Sequence, residues 1–254
     1  MTCLCEPVAP DAGYRLCPNL AEILNNLGVL YRDTHRFDEA ADAFREAATI
    51  EGELAARNAA AYRPNLAATL NNLGILYVDM RRSDDAEAAF KEDVVIWREL
   101  AAQNPAAYRP NLAMMLNNLG VLYRDAHRFD DAEGAYKEDV VIWRELAAQN
   151  PAAYRPNLAQ MLDNLGLFYR HTDRFAEAEA ADNEAVAAYR ELTAQNPAAY
   201  RPNLARTLNN LASLYRDMHH DSDAKRVEAE ARGAAKEQVR GMVPASRRDR
   251  KSVV

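Results

Sequence analysis

Three cysteines near the start of the chain are the first residues that could do chemistry. Cys3, Cys5 and Cys17 are its only cysteines. A Cys-x-Cys pair can hold a soft metal ion when a third thiolate or an imidazole completes the ligand set. No histidine precedes His35, and an odd number of cysteines without a signal peptide does not make a disulfide framework. We therefore expect ordinary reduced thiols at these positions.

Histidines recur along the chain but do not converge on one site. His35, His127 and His219 are spaced 92 residues apart, so they belong to separate stretches of the chain. The adjacent His219, His220 and Asp221 are typical of a polar turn. The sequence has no phosphate-binding glycine loop, no His-Glu-x-x-His and no Gly-x-Ser-x-Gly. It predicts a protein that is not an enzyme and has no catalytic residues, no cofactor and no metal site.

Charge and hydropathy narrow the choice of partners. The 254 residues carry 31 Lys and Arg against 38 Asp and Glu, a net charge of −7, which disfavours a nucleic-acid partner. No apolar run reaches the length of about 18 residues that a membrane span needs. The first residues, Met1 to Glu6, lack the basic start and apolar core of a secretory signal. We expect a soluble, cytoplasmic protein with no membrane partner.

Internal repetition determines the architecture. The string Pro-Asn-Leu-Ala recurs every 46 residues, beginning at Pro18, Pro64, Pro110, Pro156 and Pro202. Residues 91–113 and 137–159 are identical letter for letter. Five such units cover nearly the whole chain.

Each unit has the pattern of two helices. An apolar stripe at helical spacing marks the first helix of the second unit, at Leu66, Leu70, Leu73 and Tyr77. Pro64 suits a first helical turn, and Ser83 offers an N-cap oxygen to the second helix. Asn104 and Pro105 then end that helix. No window alternates convincingly with a period of two, so the predicted fold class is all-α.

These units resemble the tetratricopeptide repeat. The signature is carried by Leu24, Leu27, Gly28, Tyr31, Ala40 and Phe44, by Leu70, Leu73, Gly74, Tyr77, Ala86 and Phe90, and by Leu116, Leu119, Gly120, Tyr123, Ala132 and Tyr136. The string Leu-Asn-Asn-Leu-Gly-x-Leu-Tyr is similar to the repeats of kinesin light chains and of bacterial tetratricopeptide proteins. The resemblance implies a right-handed α-solenoid of five helix-turn-helix repeats. Because the ordinary repeat has 34 residues, we expect a longer second helix and a longer connection here.

Several residues depart from the signature. Asp93 and Asp139 replace a small apolar residue, Asp182 replaces the aromatic residue, and Ala212 replaces the glycine. The last helix, from Asp221 to about Val239, is strongly charged, which is typical of a C-terminal cap. We predict a single solenoid over residues 18–239, with repeats that start near 18, 64, 110, 156 and 202. A partly disordered segment at 1–17 and a basic, disordered tail at 240–254 are expected to flank it.

The resemblance places one face of the first helices on the concave side of the solenoid, where such proteins bind peptides. Three rows of residues share this face. The Asn row comprises Asn25, Asn71, Asn117, Asp163 and Asn209. The aliphatic row comprises Val29, Ile75, Val121 and Leu167, with Ser213 in the last unit. The Arg row comprises Arg32, Arg124, Arg170 and Arg216, with Val78 in the second unit.

These rows predict a groove for an extended peptide. Amides can both donate to and accept from a peptide main chain, aliphatic residues form pockets, and Arg favours carboxylates or a phosphate. The aspartates beside the Arg row, Asp33, Asp79, Asp125 and Asp217, are expected to neutralise part of its charge. Asn is a mediocre helix former, so its repetition needs an explanation. A structural role in helix packing is the alternative to ligand binding.

Trp97 and Trp143 occupy one repeat position, where Glu51 stands in the first unit. A position that accepts Glu is not expected to be fully buried. Packing between second helices and an exposed aromatic patch, open to a partner or to self-association, are the two interpretations. For the whole chain we predict a non-catalytic scaffold that binds a peptide or a partner protein. The alternative is an accessory or regulatory subunit of a larger bacterial signalling or protease-associated assembly.

Overall fold

The structure is a computed structural model that describes residues 18–242. The three cysteines and residues 243–254 of the basic tail lie outside these residues. The described part comprises ten helices: α1 (Pro18–Asp33), α2 (Phe37–Arg57), α3 (Ala59–Asp79), α4 (Ser83–Gln103), α5 (Pro105–Asp125), α6 (Phe129–Gln149), α7 (Pro151–His171), α8 (Phe175–Gln195), α9 (Pro197–Asp217) and α10 (Asp221–Met242). The predicted all-α class is confirmed. None of these helices combines the length and apolar character that crossing a membrane requires.

The helices group into two compact units, divided after Ala135, inside α6. In the first unit α1 packs against α2, α2 against α3, α3 against α4 and α4 against α5, and α1 also contacts α3. In the second unit α7 packs against α8, α8 against α9 and α9 against α10, while α7 also contacts α9. The odd-numbered helices are the first helices of the repeats and the even-numbered ones the second helices. A single solenoid over 18–239 stays a prediction.

One asparagine both ends a second helix and caps the next first helix. Asn58 Oδ1 accepts a hydrogen bond from Ala61 N at 3.3 Å, and Asn104 Oδ1 accepts one from Ala107 N at 3.3 Å. This side-chain oxygen satisfies an amide that the first helical turn leaves unpaired. The first helices α3, α5, α7 and α9 therefore start well before the proline that was expected in their first turn, and Pro64 lies inside α3.

The origin of the long period also differs from the prediction. Helices α3 and α4 have 21 residues each, and Asn104 alone separates α4 from α5. The extra residues therefore lengthen both helices of the repeat, and the expected longer connection is wrong. Because the Asn cap serves two helices at once, the chain needs no additional loop between repeats.

The turn inside each of the first four repeats is fixed by an arginine that stacks on a tyrosine. Arg82 lies over the Tyr77 ring at 4.7 Å, and its Nε donates to Asp85 Oδ2 at 2.7 Å. The same stack forms at Arg36 on Tyr31, Arg128 on Tyr123 and Arg174 on Tyr169. Ser83 is the first residue of α4 and Arg82 holds the cap position, so the predicted Ser83 cap is wrong. The cation–π contact and the ion pair hold the helix start instead.

Glycine lets the paired helices approach closely. A Cβ on Gly28 would lie 2.7 Å from the Phe44 ring, and one on Gly74 would overlap the Phe90 ring. In the last repeat Ala212 stands in place of the glycine, and Glu228 stands in place of the ring. The extra methyl group is tolerated there because no aromatic ring occupies the facing position.

Trp97 and Trp143 are buried, and the expectation that their position stays partly exposed is wrong. Trp97 is 5% exposed and Trp143 is 2% exposed. Trp97 packs on Tyr108 with 5.9 Å between ring centroids. Glu51, at the same position in the first repeat, is buried too, and this burial raises the pKa of its carboxyl. The two tryptophans therefore form no exposed aromatic patch and offer no surface for self-association.

Two buried aspartates have no hydrogen-bond partner. Asp93 and Asp139 occupy the position of Ala47 and Ala185 in other repeats, and all four side chains are buried. Neither carboxylate has a partner among the described residues. Burial raises the pKa of each carboxyl to about 8. The Trp97 indole, one turn further along α4, lies outside hydrogen-bond geometry with Asp93 and offsets only part of this effect.

We expect Asp93→Ala to stabilise the protein at alkaline pH. The unfolded carboxyl ionises near a pKa of about 4, whereas the folded one ionises near 8. Between these values the folded state binds the extra proton, so the free energy of unfolding falls as the pH rises from about 4 to about 8. Above pH 8, Asp93→Ala should raise this free energy by at least about 1.4 kcal/mol, the equivalent of one pKa unit. Urea denaturation at several pH values measures it.

Asp93→Asn is the matched control for this experiment. It removes the titration but keeps a buried polar group, so it should flatten the pH dependence with a smaller gain in stability. The double variant Asp93→Ala/Asp139→Ala should lose most of the fall between about pH 5 and pH 8. An unchanged fall in the double variant would contradict the raised pKa values.

Candidate functional site

The Asn row joins neighbouring first helices in the first unit. Asn25 Oδ1 accepts a hydrogen bond from Asn72 Nδ2 at 3.0 Å, and Asn71 Oδ1 accepts one from Asn118 Nδ2 at 3.0 Å. Asn25 and Asn71 thus each hold an asparagine of the next first helix. These contacts give the acceptor side of the row a structural role. The Asn71 Nδ2 donor has no partner among the described residues.

In the second unit the row changes from amide to carboxylate. Asp163 is fully buried. Its Oδ1 accepts a hydrogen bond from Asn210 Nδ2 at 3.0 Å, and its Oδ2 accepts one from Arg206 Nη1 at 2.5 Å. The equivalents of Arg206 in the first unit are Glu22, Ala68 and Met114. The buried charge of Asp163 is therefore balanced by a cation that the first unit lacks.

A second carboxylate is buried close to this pair. Asp182 is 2% exposed and occupies the position that Phe44 and Phe90 fill in the first unit. Its Oδ1 has no hydrogen-bond partner among the described residues. Burial raises the pKa of Asp182 to about 7, the charge of Asp163 raises it as well, and Arg170 opposes both effects. The fourth repeat thus has a buried carboxylate where the first two repeats have an aromatic ring.

The Arg row is ion-paired in both units. Arg124 pairs with Asp125 at 2.8 Å, and Arg170 pairs with Asp217 at 2.6 Å. Arg32 lies 3.8 Å from Asp79, and Arg216 pairs with Glu228. The prediction that neighbouring aspartates neutralise part of the row is confirmed. A ligand carboxylate would have to displace a resident carboxylate from these guanidinium groups.

The aliphatic row borders a cavity in each unit. Val29, Ile75 and Val121 are half-buried, and Leu167 is 37% exposed. In the first unit a cavity of about 310 Å³ lies between α3 and α5 and includes in its lining Ile75, Val78, Arg81, Ser83, Phe90 and Val121. We call it the Val78 cavity. In the second unit a wider depression of about 770 Å³ includes Leu167, Arg170, Asp173, Phe175, Arg216 and Asp217.

Arg81 and Ser83 are among the lining residues of the Val78 cavity that the predicted groove did not include. Arg81 lies in the turn between α3 and α4 with φ 58°, and Ser83 starts α4. The signal that could have identified them is their difference from the other repeats. His35, His127 and His219 stand at the position of Arg81, on separate turns as expected. The described residues contain no group of three or more side chains suited to a metal.

Family comparisons match the same repeats. One tetratricopeptide repeat model matches residues 21–54, and a second matches residues 66–104, 112–150 and 158–195. Together these matches cover more than half of the chain. No curated protein matches the sequence.

Several solved structures are similar to the chain. BtubC (BKLC) from P. vanneervenii is 23% identical over 93% of this chain and 87% of its own, with a TM-score of 0.70. The nearly identical TPR-like repeats of a candidate kinesin light chain from Podosopora anserina are 16% identical over 87% and 97%, with a TM-score of 0.66. The apo form of RapI is 13% identical over 85% and 54%, with a TM-score of 0.69. At these identities the likeness shows the fold alone.

We expect Arg206→Met to cost more stability than Asp163→Asn. Removing one partner of a buried charge pair costs about 3–5 kcal/mol when both are buried, and Arg206 is 43% exposed. We therefore expect a loss of about 1–3 kcal/mol for Arg206→Met. Asp163→Asn recreates the amide pair of Asn71 with Asn118, so it should cost less than about 1 kcal/mol. Urea denaturation of both variants measures the difference.

The double variant Asp163→Asn/Arg206→Met is the matched control, because it restores the first-unit residues Asn71 and Met114. It should recover most of the stability that Arg206→Met loses, which is the coupling expected of contacting residues. Losses that simply add in the double variant would show that Arg206 does not compensate Asp163.

Proposed function

The chain belongs to the tetratricopeptide repeat family, and from this premise we propose that it binds an extended peptide segment of a partner protein. Its repeats make it a protein–protein interaction scaffold. The proposed binding surface is the face of the first helices that carries the Asn, aliphatic and Arg rows. We call it the first-helix face.

The observation that carries this proposal is the concavity that each unit has on this face. The Val78 cavity lies beside Ile75 and Val121 of the aliphatic row, and the second-unit depression lies beside Leu167. Small concave sites with apolar walls and a few polar groups are where proteins bind side chains and small ligands. The rows supply both kinds of group next to each concavity.

The polar groups of the face favour a main chain as the ligand. The oxygens of Asn25 and Asn71 already accept hydrogen bonds from the next helix, so the amide nitrogen of Asn71 is the group left to donate. Peptide carbonyls are the matching acceptors. The ion pairs of the Arg row argue against a strongly acidic ligand, because each ligand carboxylate would have to replace a resident one.

Asn209→Ala is the cleanest test of this surface. Asn209 is exposed, lies on α9, the first helix of the fifth repeat, and its side chain has no partner among the described residues. The substitution should leave folding unchanged or slightly improved, since Ala is the better helix former. It should weaken peptides selected from a displayed random library by about 0.5–1.5 kcal/mol, the value of one neutral hydrogen bond. Fluorescence anisotropy of the selected peptides and urea denaturation measure the two effects.

Gln195→Ala is the control, because it removes an exposed amide from a second helix of the same unit. It should leave the dissociation constants unchanged. Asn71→Ala should weaken binding and also lower stability, because it removes the acceptor of Asn118 Nδ2. Equal binding by Asn209→Ala and Gln195→Ala would remove the Asn row from the binding surface. A library that yields no specific peptide would contradict the proposed function itself.

A further inference from the structure

The Val78 cavity coincides with the strongest departures of the second repeat from the others. Val78 stands where every other repeat has an arginine, and Ser83 stands where three of the others have a phenylalanine. Both changes replace a long or bulky side chain by a smaller one. The residues that would otherwise fill the rim, as Arg170 and Phe175 border the depression of the second unit, are absent here.

The size and walls of the cavity suit one apolar side chain. Its volume of about 310 Å³ lies at the lower end of the range of about 300–1,000 Å³ for ligand pockets. Branched aliphatic side chains dominate the walls, with Ile75, Val78, Val121 and Leu122 beside the single ring of Phe90. Val78 is 42% exposed, so a large part of its apolar surface is open to a ligand.

The rim carries one uncompensated positive charge. Asp125 lines the cavity, but Arg124 pairs with it through Nε at 2.9 Å and Nη2 at 2.8 Å. Arg81 also lines the cavity, and its guanidinium has no hydrogen-bond or ion-pair partner among the described residues. A carboxylate on the ligand would complement Arg81 without displacing any resident group, in contrast to the Arg row.

We propose that the Val78 cavity anchors the ligand peptide by taking one bulky aliphatic side chain, while Arg81 pairs with a carboxylate on an adjacent ligand residue. This inference rests on the proposed function, because the cavity lies on the first-helix face. Asn118, which the Asn row holds through Asn71 Oδ1, forms part of the lining. The anchor therefore lies next to the amides proposed to bind the main chain.

The second unit provides the matched residues for a test. Arg170 and Phe175 are the equivalents of Val78 and Ser83, and Asp173 is the equivalent of Arg81. Asp173 and Arg81 adopt the same left-handed backbone, with φ of 57° and 58°. Val78→Arg/Ser83→Phe and Arg81→Asp therefore introduce residues that this repeat architecture already accommodates. Val95→Arg, at a half-exposed valine of α4, is the control for adding a charge.

The probes are short Gly/Ser peptides, blocked at both ends, that carry Asp-Leu-Asp, Asp-Ser-Asp, Asn-Leu-Asn or Lys-Leu-Lys at the centre. Binding is followed by methyl NMR of protein labelled at the isoleucine δ1 carbons. Ile75 lines the cavity, whereas Ile50, Ile96 and Ile142 are buried and report on the integrity of the fold. This readout detects weak binding and locates it in the same experiment.

Titration with the Asp-Leu-Asp peptide should change the Ile75 chemical shift until it saturates, and the chemical shifts of the buried isoleucines should not change. The Asp-Ser-Asp peptide should bind at least about tenfold more weakly, because it lacks the anchor. The Asn-Leu-Asn peptide should bind about threefold to tenfold more weakly. Arg81→Asp should reverse the preference towards Lys-Leu-Lys. Val78→Arg/Ser83→Phe should abolish the effect at Ile75, and Val95→Arg should keep it.

The inference would be overturned if the Ile75 chemical shift did not change with the Asp-Leu-Asp peptide at millimolar concentration. It would also be overturned if the peptide bound Val78→Arg/Ser83→Phe as well as the wild type while the signals of the buried isoleucines showed an intact fold. Equal binding of Asp-Leu-Asp and Asn-Leu-Asn would overturn the role of Arg81. If library-selected peptides lose affinity in Asn209→Ala while Ile75 stays unaffected, the proposed function stands and the anchor alone is wrong. If no peptide of either kind binds, both fail.

Discussion

The contact of the Phe90 ring with α3 at Gly74 is the interaction on which the first unit depends. Because Gly74 has no Cβ, the ring packs directly on the helix backbone. This contact fixes how α4 lies against α3, and it buries one side of α3 in the core. A second constraint is that a single helix pair cannot bury its apolar surface alone, and α3 accordingly packs between α2 and α4. The side of the first helices that these packing contacts leave uncovered is the first-helix face.

The same ring links the core to the proposed binding surface. Phe90 packs on Gly74 and also lines the Val78 cavity, so the packing that holds the pair together forms one wall of the cavity. In the second unit Asp182 stands in place of the ring and is buried beside Asp163. The two units are thus built on one repeat pattern but differ in the chemistry beneath the first-helix face. The Val78 cavity lies in the first unit, and the neighbouring buried carboxyls of Asp163 and Asp182 lie in the second.

Much of the fold could be predicted from the sequence, because periodicity reports directly on helices. The period of 46 residues and the recurring Gly and Tyr positions were enough to predict helix pairs. Helix ends were predicted less well. Ser83 has the chemistry of an N-cap, but the stack of Arg82 on Tyr77 fixes that helix start, and a contact between residues five apart is not visible as a capping pattern. Glu51 suggested an exposed position, yet a buried carboxyl can be tolerated when its pKa rises.

The candidate site was predicted only in outline, because part of it depends on residues that differ between the repeats. Rows of equivalent residues such as Asn25, Asn71 and Asn117 stand out in a repeat, whereas the Val78 cavity is defined by residues that break the rows. The sequence also could not show that Asn71 Oδ1 accepts a hydrogen bond from Asn118 Nδ2, because these two residues lie 47 positions apart and on different helices. Departures from a repeat therefore deserve the same scrutiny as its regularities when a binding site is sought.

The free energy of unfolding of Gly74→Ala, compared with that of Gly52→Ala, tests most directly whether the ring contact sets the helix pairing. A Cβ on Gly74 would overlap the Phe90 ring, whereas a Cβ on Gly52 meets no atom within 4 Å. We expect Gly52→Ala to stabilise the protein by about 0.5–1 kcal/mol through helix propensity. Gly74→Ala should instead destabilise it by about 1–3 kcal/mol through overpacking. Equal stabilisation by both substitutions would contradict the account.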